Sequence, residues 1–75
     1  MSFEEYRERV RAIVRDNCRA FAEQEVNHYL DGKEAEEFIK ERYDADMRDI
    51  KNGRFTIDCI EDCAFSAGYC LALMF

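Results

Sequence analysis

Residues 55–75 read F-T-I-D-C-I-E-D-C-A-F-S-A-G-Y-C-L-A-L-M-F, and no charged side chain follows Asp62. At about 100° per residue, Ile57, Ile60, Ala64, Ala67, Leu71 and Met74 share one side of a helix, and Cys59, Cys63 and Cys70 fall on an adjoining arc. A helix that is apolar around most of its circumference has to be covered around most of it. The more polar residues before it read as that cover. The expected fold is therefore all-α, one domain over 1–75, a three-helix bundle with a central apolar C-terminal helix.

Punctuation sets the helix limits. The chain has no proline, and its three glycines stand at 32, 53 and 68. The first helix is expected over about 3–30, opened by Ser2 and Glu5 as a capping box. Phe3, Tyr6, Val10, Ile13, Val14, Phe21, Val26 and Tyr29 recur along it at helical spacing. A rod of that length, about 42 Å, is long for so small a domain. Phe3, Val10, Asn17 and Gln24 are spaced by seven, so a polar seam against another chain competes with a solvated margin as their explanation. Asp31-Gly32 breaks the pattern, with Gly32 suited to positive φ and Asp31-x-x-Glu34 to a second capping box. The second helix, about 33–51, turns Ala35, Ile39, Tyr43, Met47 and Ile50 inward and Glu34, Glu37, Glu41 and Asp44 outward. Glu36 with Lys40 and Asp44 with Arg48 are spaced as ion pairs. Asn52-Gly53 ends it, and the third helix is expected from Thr56 to residue 74.

A chain of 75 residues buries only about 60% of its unfolded surface, so an aid such as a disulfide, a metal or a second copy is expected. The charged, amphipathic start M-S-F-E-E-Y-R-E-R lacks the apolar run of a secretory signal, which points to reduced thiols and a cytoplasmic location. The uncharged run 63–75 is shorter than the ~20 residues of a bilayer span, so no membrane association is expected. Net charge is −6, and it is uneven. Residues 20–50 hold four bases against ten acids, while 1–19 hold five against four. Such a field disfavours direct nucleic acid binding and favours a protein with a basic surface.

No catalytic motif is present, and the chain reads as a non-enzyme with no cofactor. Cys59-x-x-x-Cys63, with Cys70 and Cys18, lacks the paired spacing of structural zinc sites, and the thiols read as small packing residues beside Ala64, Ser66, Ala67 and Gly68. His28, the only histidine, reads as a group stabilising the last turn of its helix. Asp46 falls between Ala35, Ile39 and Ile50; if buried, it needs a partner such as Arg42 or an interface. Arg7, Arg11, Arg15 and Arg19 recur every fourth residue and read as a solvated face, or as partners for acids of the second helix or a second chain, ahead of a phosphate-binding stripe.

In size and acidity, and in the run Asp31-Gly-Lys-Glu-Ala-Glu-Glu-Phe-Ile-Lys-Glu-Arg-Tyr-Asp-Ala-Asp, the chain resembles the small proteins with which phages and mobile elements counter host defences, anti-CRISPR proteins in particular. The likeness is one of type and carries over no site residue. It implies an inhibitor that occupies the basic groove of a CRISPR effector complex with carboxylates. The expected function is thus a protein interaction module presenting Glu34, Glu37, Glu41 and Asp44. The apolar surplus at Phe65, Tyr69, Leu73, Met74 and Phe75 is expected to form a homodimer interface, with docking on a larger partner as the alternative. A regulatory dimer reading DNA through the arginines and a metal or thiol protein built on Cys59, Cys63 and Cys70 are the other readings.

Overall fold

The computed structural model describes all 75 residues, Met1 to Phe75. It is all-helical, with four α-helices and no strand: α1 (Phe3–Asn17), α2 (Glu23–Leu30), α3 (Lys33–Lys51) and α4 (Ile60–Met74), the last entered through a 3-10 turn at Ile57–Cys59. The helices assemble into a body of 40 × 20 × 18 Å. α1 and α4, from opposite ends of the sequence, share the most extensive contact, and α3 packs against both.

The largest departure from the sequence reading is that residues 3–30 form two helices. The single rod fails at Asn17, whose side-chain amide donates to the Ile13 carbonyl at 2.8 Å. That bond competes with the helix's own ladder. Cys18 then leaves helical geometry at φ −110°, and the Phe21 N–H closes a turn on the Cys18 carbonyl. Length explains what the break achieves. A continuous helix of about 42 Å would carry its last residues past the end of α4, which is only about 22 Å long. Folded back, Val26 and Leu30 instead join Val10, Val14 and Leu71 in one buried cluster. The seven-residue seam ends with α1: Asn17 and Gln24 are both exposed.

Caps explain the remaining limits. The Glu5 N–H donates to the Ser2 hydroxyl at 3.2 Å, as expected at the start of α1. After α3, Gly53 takes φ +80°, its N–H donates to the Ile50 carbonyl and that of Arg54 to Asp49, a Schellman motif that only glycine enters without strain. The Asp31-Gly32 junction differs from expectation. Gly32 is extended, at φ −71° and ψ 156°, and Asp31 makes no capping bond to α3. Its carboxylate is drawn away by Arg11.

α4 is not wrapped on all sides. Ile60, Ala64, Ala67, Gly68 and Leu71 are buried, while Ile57 and Met74, assigned to the same inner side, are 51% and 57% exposed. The cover comes from α1, and it comes close. A Cβ built on Gly68 would lie 2.7 Å from the Ile13 side chain and 3.2 Å from the Val10 carbonyl. Ala64, Ala67 and Gly68 therefore face inward, where backbone approach is tightest, while Ser66 and Cys70 are exposed.

Candidate functional site

Two surfaces and one buried pair hold the groups that could act on something outside the chain. The first surface is the outer side of α3. Glu34, Glu37, Glu41 and Asp44 are all exposed there. Their expected relief by neighbouring bases is smaller than the spacing suggests. Lys33 reaches Glu37 at 3.7 Å, but Lys40 turns toward α1, with its ammonium 5.5 Å from the centre of the Phe3 ring. Neither Glu36–Lys40 nor Asp44–Arg48 forms. Glu34, Glu41 and Asp44 take part in no ion pair.

Glu36 is missing from that row because α1 claims it. Arg7 donates to its carboxylate through Nε (2.9 and 3.1 Å) and Nη2 (2.8 Å), a bidentate clamp. Arg11 is buried; its Nη1 donates to the Leu30 carbonyl at 3.1 Å and to Glu36 at 3.3 Å, and its Nη2 to Asp31 at 2.8 Å. One guanidinium thus satisfies a free carbonyl at the end of α2 and pins the α2–α3 corner to α1. That capping role was expected of His28, which is exposed. The hydrogen bond from Arg11 holds the Asp31 carboxyl below the usual carboxylate range, and the bonds that Arg7 donates to Glu36 raise the pKa of Arg7. Arg15 donates to Asn27 at 3.2 Å, and Arg19 lies 3.6 Å from Asp16. The arginine row is thereby largely occupied within the fold, with Arg19 at its exposed end.

The second surface is the outward face of α4. Phe65, Tyr69 and Leu73 are 50%, 43% and 88% exposed, and Met74 and Cys70 are exposed beside them. Phe75, grouped with them by sequence, is instead half-buried between Phe21 and Tyr29, with ring centroids 4.8 and 5.0 Å away. Tyr29 donates from its hydroxyl to the Leu71 carbonyl at 3.2 Å, fastening α4 to α2.

Asp46 is buried, as its place on the wheel suggested, but its partner is not Arg42. The Tyr6 hydroxyl donates to its Oδ2 at 2.9 Å across the α1–α3 contact. Burial, reinforced by that carboxylate, drives the Tyr6 phenol well above its ordinary range. Arg42 lies instead near the Phe38 ring, 5.8 Å from its centre. An open cleft of ≈ 340 Å³ above Asp46 is bordered by Arg42, Asp62 and the half-buried Cys59 and Cys63. The thiols do not gather: Cys18 is buried in the α1–α2 corner and Cys70 points outward. No three His, Cys, Asp or Glu side chains converge as a metal would require. Burial pushes the Cys63 thiol up, the reverse of what a reactive thiolate needs.

The expected pairing of the arginine row with acids of the second predicted helix, α3, is met by Arg7 and Arg11 on Glu36. Tyr6 and Glu36 are the polar residues whose importance sequence reasoning missed. Tyr6 had one available signal, since it shares a helical face with Val10 and Val14, whereas the spacing of Glu36 pointed to Lys40. No helix is long and apolar enough to cross a membrane. Compared with protein-family profiles, curated proteins and solved structures, the chain matches none.

Proposed function

We propose that this chain is a non-enzymatic interaction module whose α3 docks on a basic protein surface, and that it works as a homodimer joined through α4. One observation carries the reading: Glu34, Glu41 and Asp44 stand exposed on one side of a helix with no cation paired to them, in a chain of net charge −6. Unneutralised carboxylates held in a row attract a complementary surface and speed encounter with it. Surfaces that bind nucleic acid are of that kind. In its sharpest form the partner is a nucleic-acid-binding complex such as a CRISPR effector, and α3 inhibits it by filling the groove meant for phosphates.

The competing use of the arginines on DNA is weakened by their engagement. Arg7 and Arg11 would have to abandon Glu36, Asp31 and the Leu30 carbonyl to reach a phosphate. The test is retention of a nucleic-acid-binding complex on the immobilised chain. Retention should fall with added salt and with competing nucleic acid, and Glu34→Lys, Glu37→Lys and Glu41→Lys together should abolish it. Retention that survives this reversal removes α3 from the mechanism. A shift of duplex DNA at low salt by the chain itself favours the arginine reading instead.

A further inference from the structure

Asp46 carries a charge that the fold does not answer. The residue is only 8% exposed, its Oδ2 accepts a hydrogen bond from the Tyr6 hydroxyl, and no cation stands within ion-pair distance of it. A neutral donor satisfies one oxygen without neutralising the group. A carboxylate has about four acceptor positions, and a buried one without a counter-charge is costly to keep. Arg42, four residues earlier, is spaced to supply the cation, yet its guanidinium lies near the Phe38 ring. Oδ1 accepts nothing from the chain, and it is not sealed in the core, because no fully buried side-chain oxygen is left without a partner. It opens on the ≈ 340 Å³ cleft that Asp46 borders.

We propose that this cleft binds a guanidinium group on an apolar stem, the chemistry of an arginine side chain, with the charge against Asp46 and the stem along Phe55, Cys59 and Cys63. Its volume is at the small end of ligand pockets, enough for one such group. Asp62, exposed at the border, adds a second carboxylate, so two negative charges face the single positive one of Arg42. The balance selects a cation. After burial, the Asp46 charge is the next reason the Cys63 thiol stands above its ordinary range, so that charge acts across the cleft. Phe55, 41% exposed, supplies an aromatic wall of the kind that attracts cations. A guanidinium suits this place better than an ammonium. It is more weakly hydrated, so it loses less on approaching a buried carboxylate, and it stacks on an aromatic ring. None of the outer carboxylates of α3 takes part, so the site is separate from the docking face proposed above.

Titration of the isotopically labelled full chain with acetyl-arginine amide, followed by NMR, tests the proposal, with acetyl-citrulline amide as its neutral match. Saturable shifts are expected at Phe55, Cys59, Cys63 and Ser66 with the arginine compound and none with the citrulline one. Asp46→Asn keeps an acceptor for Tyr6 and should weaken binding roughly tenfold or more. Asp62→Asn, at an exposed position that the fold does not need, should weaken it about threefold. Arg42→Gln removes the like charge and should tighten it. No saturable shift, equal shifts with citrulline, binding that survives Asp46→Asn, or binding weakened by Arg42→Gln would each overturn the proposal. The source of the group is read separately. If a basic partner supplies it, Asp46→Asn also lowers retention of the nucleic-acid-binding complex with Glu34, Glu37 and Glu41 intact; if a free guanidino compound does, retention is unchanged. A parent chain that retains no complex overturns the α3 reading and leaves the cleft to be judged by the titration.

Discussion

α3 and α4 pose opposite problems to a reader of the chain. In α3 the polar and apolar residues alternate at helical period, so polarity alone says which side turns inward: Ala35 and Ile39 are buried and Glu34, Glu37, Glu41 and Asp44 are exposed. In α4 nearly everything beyond Asp62 is apolar, and polarity says nothing about direction. Close approach decides instead. The buried side carries Ala64, Ala67 and Gly68 between Ile60 and Leu71, and the open side Phe65, Tyr69 and Leu73 beside Ser66 and Cys70. Where α4 meets α1 at van der Waals distance, at Gly68, no side chain fits. Where hydrophobicity is uniform, the tightest backbone approach sets the orientation.

The comparison breaks first at Gly68. Replacing it by valine puts methyl groups into the space of Ile13 and the Val10 carbonyl, and overpacking of that kind, with a backbone atom unable to yield, should destabilise by about 3 kcal/mol. Loss of cooperative thermal unfolding, followed by circular dichroism, is the expected result. A valine variant with an unchanged midpoint would show that α4 does not owe its orientation to close approach.

A smaller effect probes the one carboxylate that α3 turns inward. Tyr6→Phe leaves Asp46 buried without its donor and should lower stability by about 2 kcal/mol in urea titrations. Asp46→Asn in the same background should recover part of the loss, because a neutral amide is less costly to bury. The phenol also carries a pH signature. Its folded pKa is raised, so its contribution is complete below the unfolded value of about 10 and is lost as pH rises through the folded one. Tyr6→Phe should flatten that part of the alkaline decline.

Arg11→Leu comes next, with an expected loss of about 1 kcal/mol at neutral pH from its bonds to Leu30, Asp31 and Glu36. Here the linkage has the opposite sign. Asp31 has a depressed folded pKa, so what it contributes is present above the unfolded value of about 4 and fades as pH falls through the folded one. Denaturant midpoints at pH 7 and pH 3 should therefore converge in the variant relative to the parent. Equal acid sensitivity in both would detach Asp31 from Arg11.

Least of all should happen to the fold when the open side of α4 is charged. Leu73 is 88% exposed, and Leu73→Glu at dilute concentration should shift stability by no more than about 0.5 kcal/mol. A large loss at dilution would mean that α4 is covered on both sides in the unit that folds.

The same contrast shows how much of the molecule was legible beforehand. Helical class, the Ser2 cap, the Asn52-Gly53 stop, the inward Asp46 and the exposed acids of α3 all followed from local rules. The break at Cys18 did not, because no glycine or proline marks it. It arises from the Asn17 bond to Ile13 and from the gain of bringing Val26 and Leu30 over the core, a non-local effect. The partner of Asp46 was missed for a similar reason: Tyr6 lies forty residues away in sequence. The inner side was misjudged at Ile57, which lies in the 3-10 turn before α4 and so off its 100° wheel, and at Met74, the last residue of the helix.

That the principal contact joins α1 to α4 also bears on how the chain acquires its shape during synthesis. α1 emerges first but finds its main packing surface only after the last helix has been made. Until then Tyr6, Val10 and Val14 have only α2 and α3 to shelter them. The step that completes the core must close a loop of some 50 residues, which slows assembly relative to bundles whose neighbouring helices do most of the packing.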